Sequence, residues 1–288
     1  MKKITFFTML FILLMPAFAQ EEGVYNRFRH SRDEYIEIGR DLAKDYNRDI
    51  DCNDKEIRTD IIEYKSIFHS DTSSIKSKRD ALHGLVYTNC QEVINFYVGL
   101  IKNDLNQEIR KDALLYLGWL RAKSSIPSLV EVAGKENNLA FIVEIAVTLC
   151  VMEEFELAAS ILDRVCFNED NSVKRICIGG YAYAGRDELV KNYYLSEWEK
   201  DIDEEQQFSI ALKLTEYGVY DITFPIIKET LINSTHTYKR HSAISGLAAI
   251  ATEEAIELIQ NCTNDNDIVV ANFAKFVMEC LKEGRRYK

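Results

Sequence analysis

A unit of two short helices recurs along this chain at intervals of about 32 residues, and that period decides what the chain can fold into. The clearest copy is residues 109–135, IRKDALLYLGWLRAKSSIPSLVEVAGK. Ile109, Ala113, Leu117 and Leu120 fall at helical spacing and form one apolar stripe. Lys123, Ser124 and Ser125 break the pattern. Pro127 then opens a second helix, where a missing N–H costs nothing, and Gly134 ends it. Neither helix can bury its stripe alone, so the unit requires neighbours of its own kind.

Those neighbours are present. Ala81, Ala113, Ala146, Ile178, Ala211, Ala243 and Ala274 are separated by 32, 33, 32, 33, 32 and 31 residues. A small or aliphatic residue at this anchor lets one helix sit close to the next. One position on come Leu82, Leu114, Val147, Leu212 and Ile244. Thirteen on come Ile94, Ile126, Ala159, Phe224 and Ile256, and sixteen on come Tyr97, Leu129, Leu162, Ile227 and Ile259. Pro127 and Pro225 share one slot three periods apart. Basic pairs precede several anchors: Lys78-Arg79, Arg110-Lys111, Lys174-Arg175 and Lys239-Arg240. The copy at 175–194 fits worst. Gly179, Gly180 and Gly185 loosen it, and its inter-helix loop reads as shorter, so altered curvature is expected there. Residues 139–152 are the most apolar stretch and read as a central helix buried on several sides.

The ends read differently. Lys2 and Lys3 precede an apolar run at 4–15, and Ala17-Phe18-Ala19 is an A-x-A site. This predicts a cleaved signal peptide over 1–19 and an exported, soluble chain, periplasmic or secreted. The run is shorter than the ~20 apolar residues that a membrane span needs. Residues 20–76 read as an N-terminal helical cap, with helices near 35–42 and 57–68, and residues 77–288 as the repeats.

Charge narrows the partners. The net charge is −11, and −13 without the two leader lysines. An acidic surface repels phosphate backbones, which argues against nucleic acid. The seven cysteines are odd in number and lack the spacing of a disulfide framework, and no CxxC occurs. Cys150, Cys177 and Cys280 are expected as small buried hydrophobes.

The repeat resembles the HEAT-repeat family, in particular its short bacterial type. The residues that carry the resemblance are Ile109-Arg110-Lys111-Asp112-Ala113-Leu114, then Leu117-Gly118, then Ile126-Pro127-Ser128-Leu129. Weaker copies lie at 239–259 and 79–97. Glu216 stands in the Gly118 slot and Lys191 in the Ile126 slot, both departures from the pattern. The resemblance implies an all-α fold, a right-handed α-α superhelix of the HEAT/armadillo kind. It also implies a scaffold that holds a protein or peptide on its concave face, lined by the second helices.

Chemistry leaves little trace. HEAT-like iron hydroxylases carry His-Glu metal pairs, but none of His30, His69, His83, His236 and His241 is followed by glutamate. HEAT-like bilin lyases share the fold, and no motif of theirs is found here. Asp49, Asp51 and Asn53 alternate like calcium ligands, yet Asp54 and Asp60 stand where such a loop needs Gly and Glu, so an acidic turn is expected. Residues 264–267, Asn-Asp-Asn-Asp, read as an inter-helix turn. There is no Gly-x-Ser-x-Gly and no phosphate-binding glycine loop.

The sequence reading is therefore a non-catalytic exported scaffold with no catalytic residue, cofactor or metal. The alternative is an enzyme or enzyme subunit on a HEAT-like shell, lyase-like or metal-dependent. Candidate partner anchors are Tyr193, Tyr194, Trp198 and Trp119, because Tyr and Trp dominate interface hot spots. Trp119 is included because it lies off the apolar stripe of its helix.

Overall fold

The computed structural model describes residues 51–166 and 171–283. The expected leader and the helix near 35–42 lie outside the described residues. Those described form fourteen α-helices and one 3₁₀ turn, with no strand among them. They divide into two compact units at Arg186/Asp187, inside the stretch that the repeat spans.

In the first unit α1 (Lys55–His69) precedes three pairs: α2 (Ile75–Val86) with α3 (Gln91–Asn103), α4 (Gln107–Trp119) with α5 (Ile126–Lys135), and α6 (Leu139–Val151) with α7 (Phe155–Val165). α8 (Asn171–Tyr183) closes it. The second unit runs α9 (Asp187–Trp198), α10 (Glu204–Glu216), α11 (Tyr220–Asn233), α12 (Thr237–Ile250), α13 (Glu253–Cys262) and α14 (Ile268–Lys282). Within each unit a first helix packs on the next first helix and on the second helix before it, as in α2·α4, α4·α6, α10·α12 and α12·α14.

All seven anchors are buried in first helices, and so are Tyr97, Leu129, Leu162, Ile227 and Ile259 sixteen positions on. A further slot, twelve past the anchor, is also buried in every copy. It holds Val93, Ser125, Ala158, Val190, Thr223 and Ala255. Slots twelve and sixteen lie four apart, so they share one face of the second helix, and that face meets the core. α6 has ten buried residues, consistent with its apolar sequence.

Every turn within a pair contains one left-handed residue: Asn89, Arg121, Glu153, Gly185, Gly218 and Ala251, with φ between 40° and 75°. Past most of them an N–H reaches back five residues, as Ala122 to the Leu117 carbonyl, Glu154 to Leu149, Arg186 to Tyr181 and Val219 to Leu214. This is the bond that ends a helix on a left-handed residue.

The loops between pairs share a second device. Asp104 accepts the N–H of Asn106, Glu136 that of Asn138, and Asp265 that of Asp267. Asn106, Asn138 and Asp267 then cap the next helix. Residues 264–267 thus form the expected inter-helix turn. Asp51 likewise accepts the Asn53 N–H while Asp54 caps α1, so the described part of the alternating acidic stretch is a capped turn.

Several expectations need correction. The loop at 184–186 is as long as that at 152–154, so the irregular copy does not differ there. It differs in its second helix, where Lys191 stands in a slot that is apolar elsewhere and Tyr194 is half-buried in a slot that is buried elsewhere. Its glycines have local work instead. Gly185 takes the left-handed turn, and a Cβ on Gly180 would meet Leu162 at 2.9 Å. Pro127 lies in the first turn of α5, but α11 begins five residues before Pro225 and holds it inside. Cys177 is not a lone hydrophobe. It bonds Cys166 across 5.9 Å of Cα separation, and Cys52 bonds Cys90 across 5.8 Å. Cys150, Cys262 and Cys280 take part in neither bridge and are buried.

Two measurements check this picture. A Cβ on Gly218 would touch nothing within 4 Å, so Gly218→Ala isolates the cost of a left-handed alanine. Urea unfolding should show a loss of about 1 kcal/mol, and Ala251→Gly a gain of similar size. The Cys52–Cys90 bridge spans 38 residues, so Cys52→Ser with Cys90→Ser should cost about 3–4 kcal/mol.

Candidate functional site

The densest group of ionisable and aromatic side chains described lies between α2 and α4. Arg79 and His83 are four apart on α2. Asp112 and Tyr116 are four apart on α4, with Trp119 three further on, so each set shares one helix face. Arg79 Nε donates to Asp112 Oδ2 at 2.5 Å and Nη2 to Oδ1 at 3.0 Å, a two-pronged bond. Glu108 lies 3.9 Å from the same guanidinium. Asp112 is 7% exposed. Burial pushes its carboxyl above the ordinary range, although Arg79 pulls the other way.

His83 sits beside this pair among rings. Its centroid is 5.5 Å from Tyr87, 5.9 Å from Tyr116 and 6.0 Å from Trp119. Tyr116 lies 5.3 Å from Trp119 and 5.7 Å from Tyr97. The Tyr97 hydroxyl donates to the Leu82 carbonyl at 2.7 Å. Burial lowers the His83 pKa, and the charges of Asp80 and Asp112 raise it by less. Its buried Nε2 has no hydrogen-bond partner among the described residues. The group therefore combines an imidazole whose charged form burial disfavours, a carboxyl that burial makes readier to hold a proton, and a half-exposed guanidinium. An imidazole and a carboxyl are the side chains that most often give and take protons in reactions.

The ladder continues on α6, where Lys111 meets Glu144 at 3.2 Å. Burial raises the Glu144 carboxyl, and Lys111 opposes it. Among the described residues no group of three or more His, Cys, Asp or Glu could hold a metal ion. None of the described helices is long and apolar enough to cross a membrane.

The expected anchors fare unevenly. Trp119 is 2% exposed, so it is a core residue and not a surface anchor. It lies off the stripe that faces α5 because it packs sideways, toward His83 and Tyr116. Tyr193 and Tyr194 form an edge-on pair at 5.3 Å and are half-buried, and Trp198 packs against the core of the second unit. Arg79, His83 and Asp112 were not singled out from the sequence as a group. The basic pair at 78–79 was the visible signal, but it does not show which carboxylate the arginine meets.

Residues 239–265 match the family model described as PBS lyase HEAT-like repeat. That stretch of the chain is similar to a HEAT-like repeat. The match corrects the expectation of a non-catalytic chain, since the repeat is one that is named for lyases. No curated protein matches the sequence. Similar solved structures include the complex of CpcE and CpcF of phycocyanin lyase from Nostoc sp. PCC7120, at 10% identity and TM-score 0.38. That match covers 91% of this chain and 99% of the other. Human deoxyhypusine hydroxylase in complex with glycerol follows at 13% identity and TM-score 0.28, covering 86% and 97%. An engineered protein stands at 17% identity and TM-score 0.27, with the same coverage.

The His83 shift gives a pH prediction. A histidine whose folded pKa is lowered contributes stability above its unfolded value of about 6.5. That contribution is lost as pH falls from there toward the folded value. Urea unfolding at pH 7.5 and 5.5 should show a larger drop in wild type than in His83→Gln.

Proposed function

We propose that this chain is an enzyme, or the HEAT-like subunit of one, with lyase-type chemistry directed at a protein. One observation carries the reading: the repeat at 239–265 matches that of PBS lyases. His83 and Asp112 are the groups assigned to proton movement. Burial pushes both toward the neutral form, the imidazole as proton acceptor and the carboxyl as proton donor. Arg79 holds Asp112 in place and keeps part of its guanidinium in solvent. A protein as the reacting partner follows from the repeat architecture, which usually serves to hold other chains.

The same proposal puts the chain in an oxidising compartment beyond the cytoplasm. The Cys52–Cys90 and Cys166–Cys177 bridges support it, because such bonds persist where thiols are not kept reduced. The leader pattern at 1–19 supports it as well.

Intact-mass spectrometry of envelope proteins, with and without the purified chain, tests the reading. One protein should gain or lose a constant mass only when the chain is present. His83→Gln should slow that change by about 10²–10⁴-fold with helical content unchanged. An undiminished rate in the variant removes His83 from the reaction. No mass change in any fraction removes the enzyme reading.

A further inference from the structure

We infer that the outer face of α11 docks a basic amphipathic helix of a partner protein. The inference deepens the reading above by naming the kind of segment received, and it rests on that reading only for the partner being a protein.

α11 is apolar on both sides. Thr223, Ile227 and Leu231 face the core and are buried. On the opposite side Ile222, Pro225, Glu229 and Ile232 are exposed, at spacings of three, four and three, with Ile226 half-buried at the margin. Ile232 is 61% exposed and Ile222 36%. The solvent side of a surface helix is ordinarily polar. Three apolar side chains in a row of four, with one acid among them, form a pattern that can receive the apolar face of another helix.

Charge specifies the occupant. Lys228 Nζ on α11 meets Glu254 Oε1 on α13 at 2.6 Å. Those two helices carry Asp221, Glu229, Glu253, Glu254 and Glu257, and Lys228 is their only basic residue. Glu253 and Glu257 are one turn apart and exposed on α13. An apolar strip with an acidic border favours a helix whose apolar face is bordered by Lys and Arg, and repels an acidic one.

The probe is an 18-residue amphipathic helix of leucine and lysine, with a leucine–glutamate helix of the same pattern as control. Fluorescence anisotropy with the full chain should give a Kd of about 10 μM for the basic peptide at moderate salt. The acidic peptide should bind at least about tenfold more weakly. Ile222→Ser with Ile232→Ser should weaken the basic peptide by about tenfold or more, since two buried aliphatic side chains are lost. Glu229→Gln with Glu257→Gln should weaken it and flatten its salt dependence. Failure of the basic peptide to bind overturns the inference. So does equal binding by the serine variant, which would reduce the attraction to net charge. Peptide binding needs no chemistry, so either failure leaves the mass-change test standing, and loss of the mass change leaves the docking result standing.

Discussion

How closely one first helix can approach the next governs everything else in this molecule. A pair of helices this short has one apolar stripe on each and little to set against the entropy of ordering them. The stripes become useful only when the next pair covers them. Alanine at six of the seven anchors makes the approach possible, and the residues sixteen positions on fill the space behind it. In the described residues the result is a core that passes from pair to pair within each unit.

Ionic and capping contacts then fix where each pair sits. Arg110 reaches back to the Ile101 carbonyl at the end of α3 and forward to Glu136 at 2.5 Å, and its guanidinium lies 4.1 Å from the Phe141 ring. Arg240, four periods later, reaches back to the Leu231 carbonyl at the end of α11 and forward to Asp265. Each arginine joins the end of one second helix to the loop after its own pair, and each is mostly buried. Exposed bridges such as Lys102–Glu131 add little energy, but contacts like these select one register among several. The same acids also accept loop N–H groups, so the clamp and the helix cap share a carboxylate.

The fold was legible because it rests on a pattern that repeats. The anchor alanines and the apolar residues at one, thirteen and sixteen positions on are enough to read an all-α HEAT-like chain. The left-handed turns were only partly legible. Glycine marks them at Gly185 and Gly218, but Asn89, Arg121, Glu153 and Ala251 adopt the same backbone without a residue type that announces it. The disulfides escaped because Cys166 and Cys177 are joined through space by the return of the chain, not by a spacing motif. Trp119 misled for a related reason. A one-dimensional stripe shows which side faces a helix's own partner, but not which side meets the next pair. The Arg79–Asp112–His83 group has the same origin, since its members come from two successive copies.

The paired reach of Arg110 and Arg240 limits how a chain like this can change length. An inserted stretch that is one whole period long leaves each of these arginines with a second helix before it and a loop after its own pair, so nothing is left dangling. A stretch of ten or fifteen residues would separate a guanidinium from one of its two ends and leave a part-buried charge without its partner. Growth and loss should therefore occur in complete steps, and relatives of different size should differ by integer numbers of helix pairs.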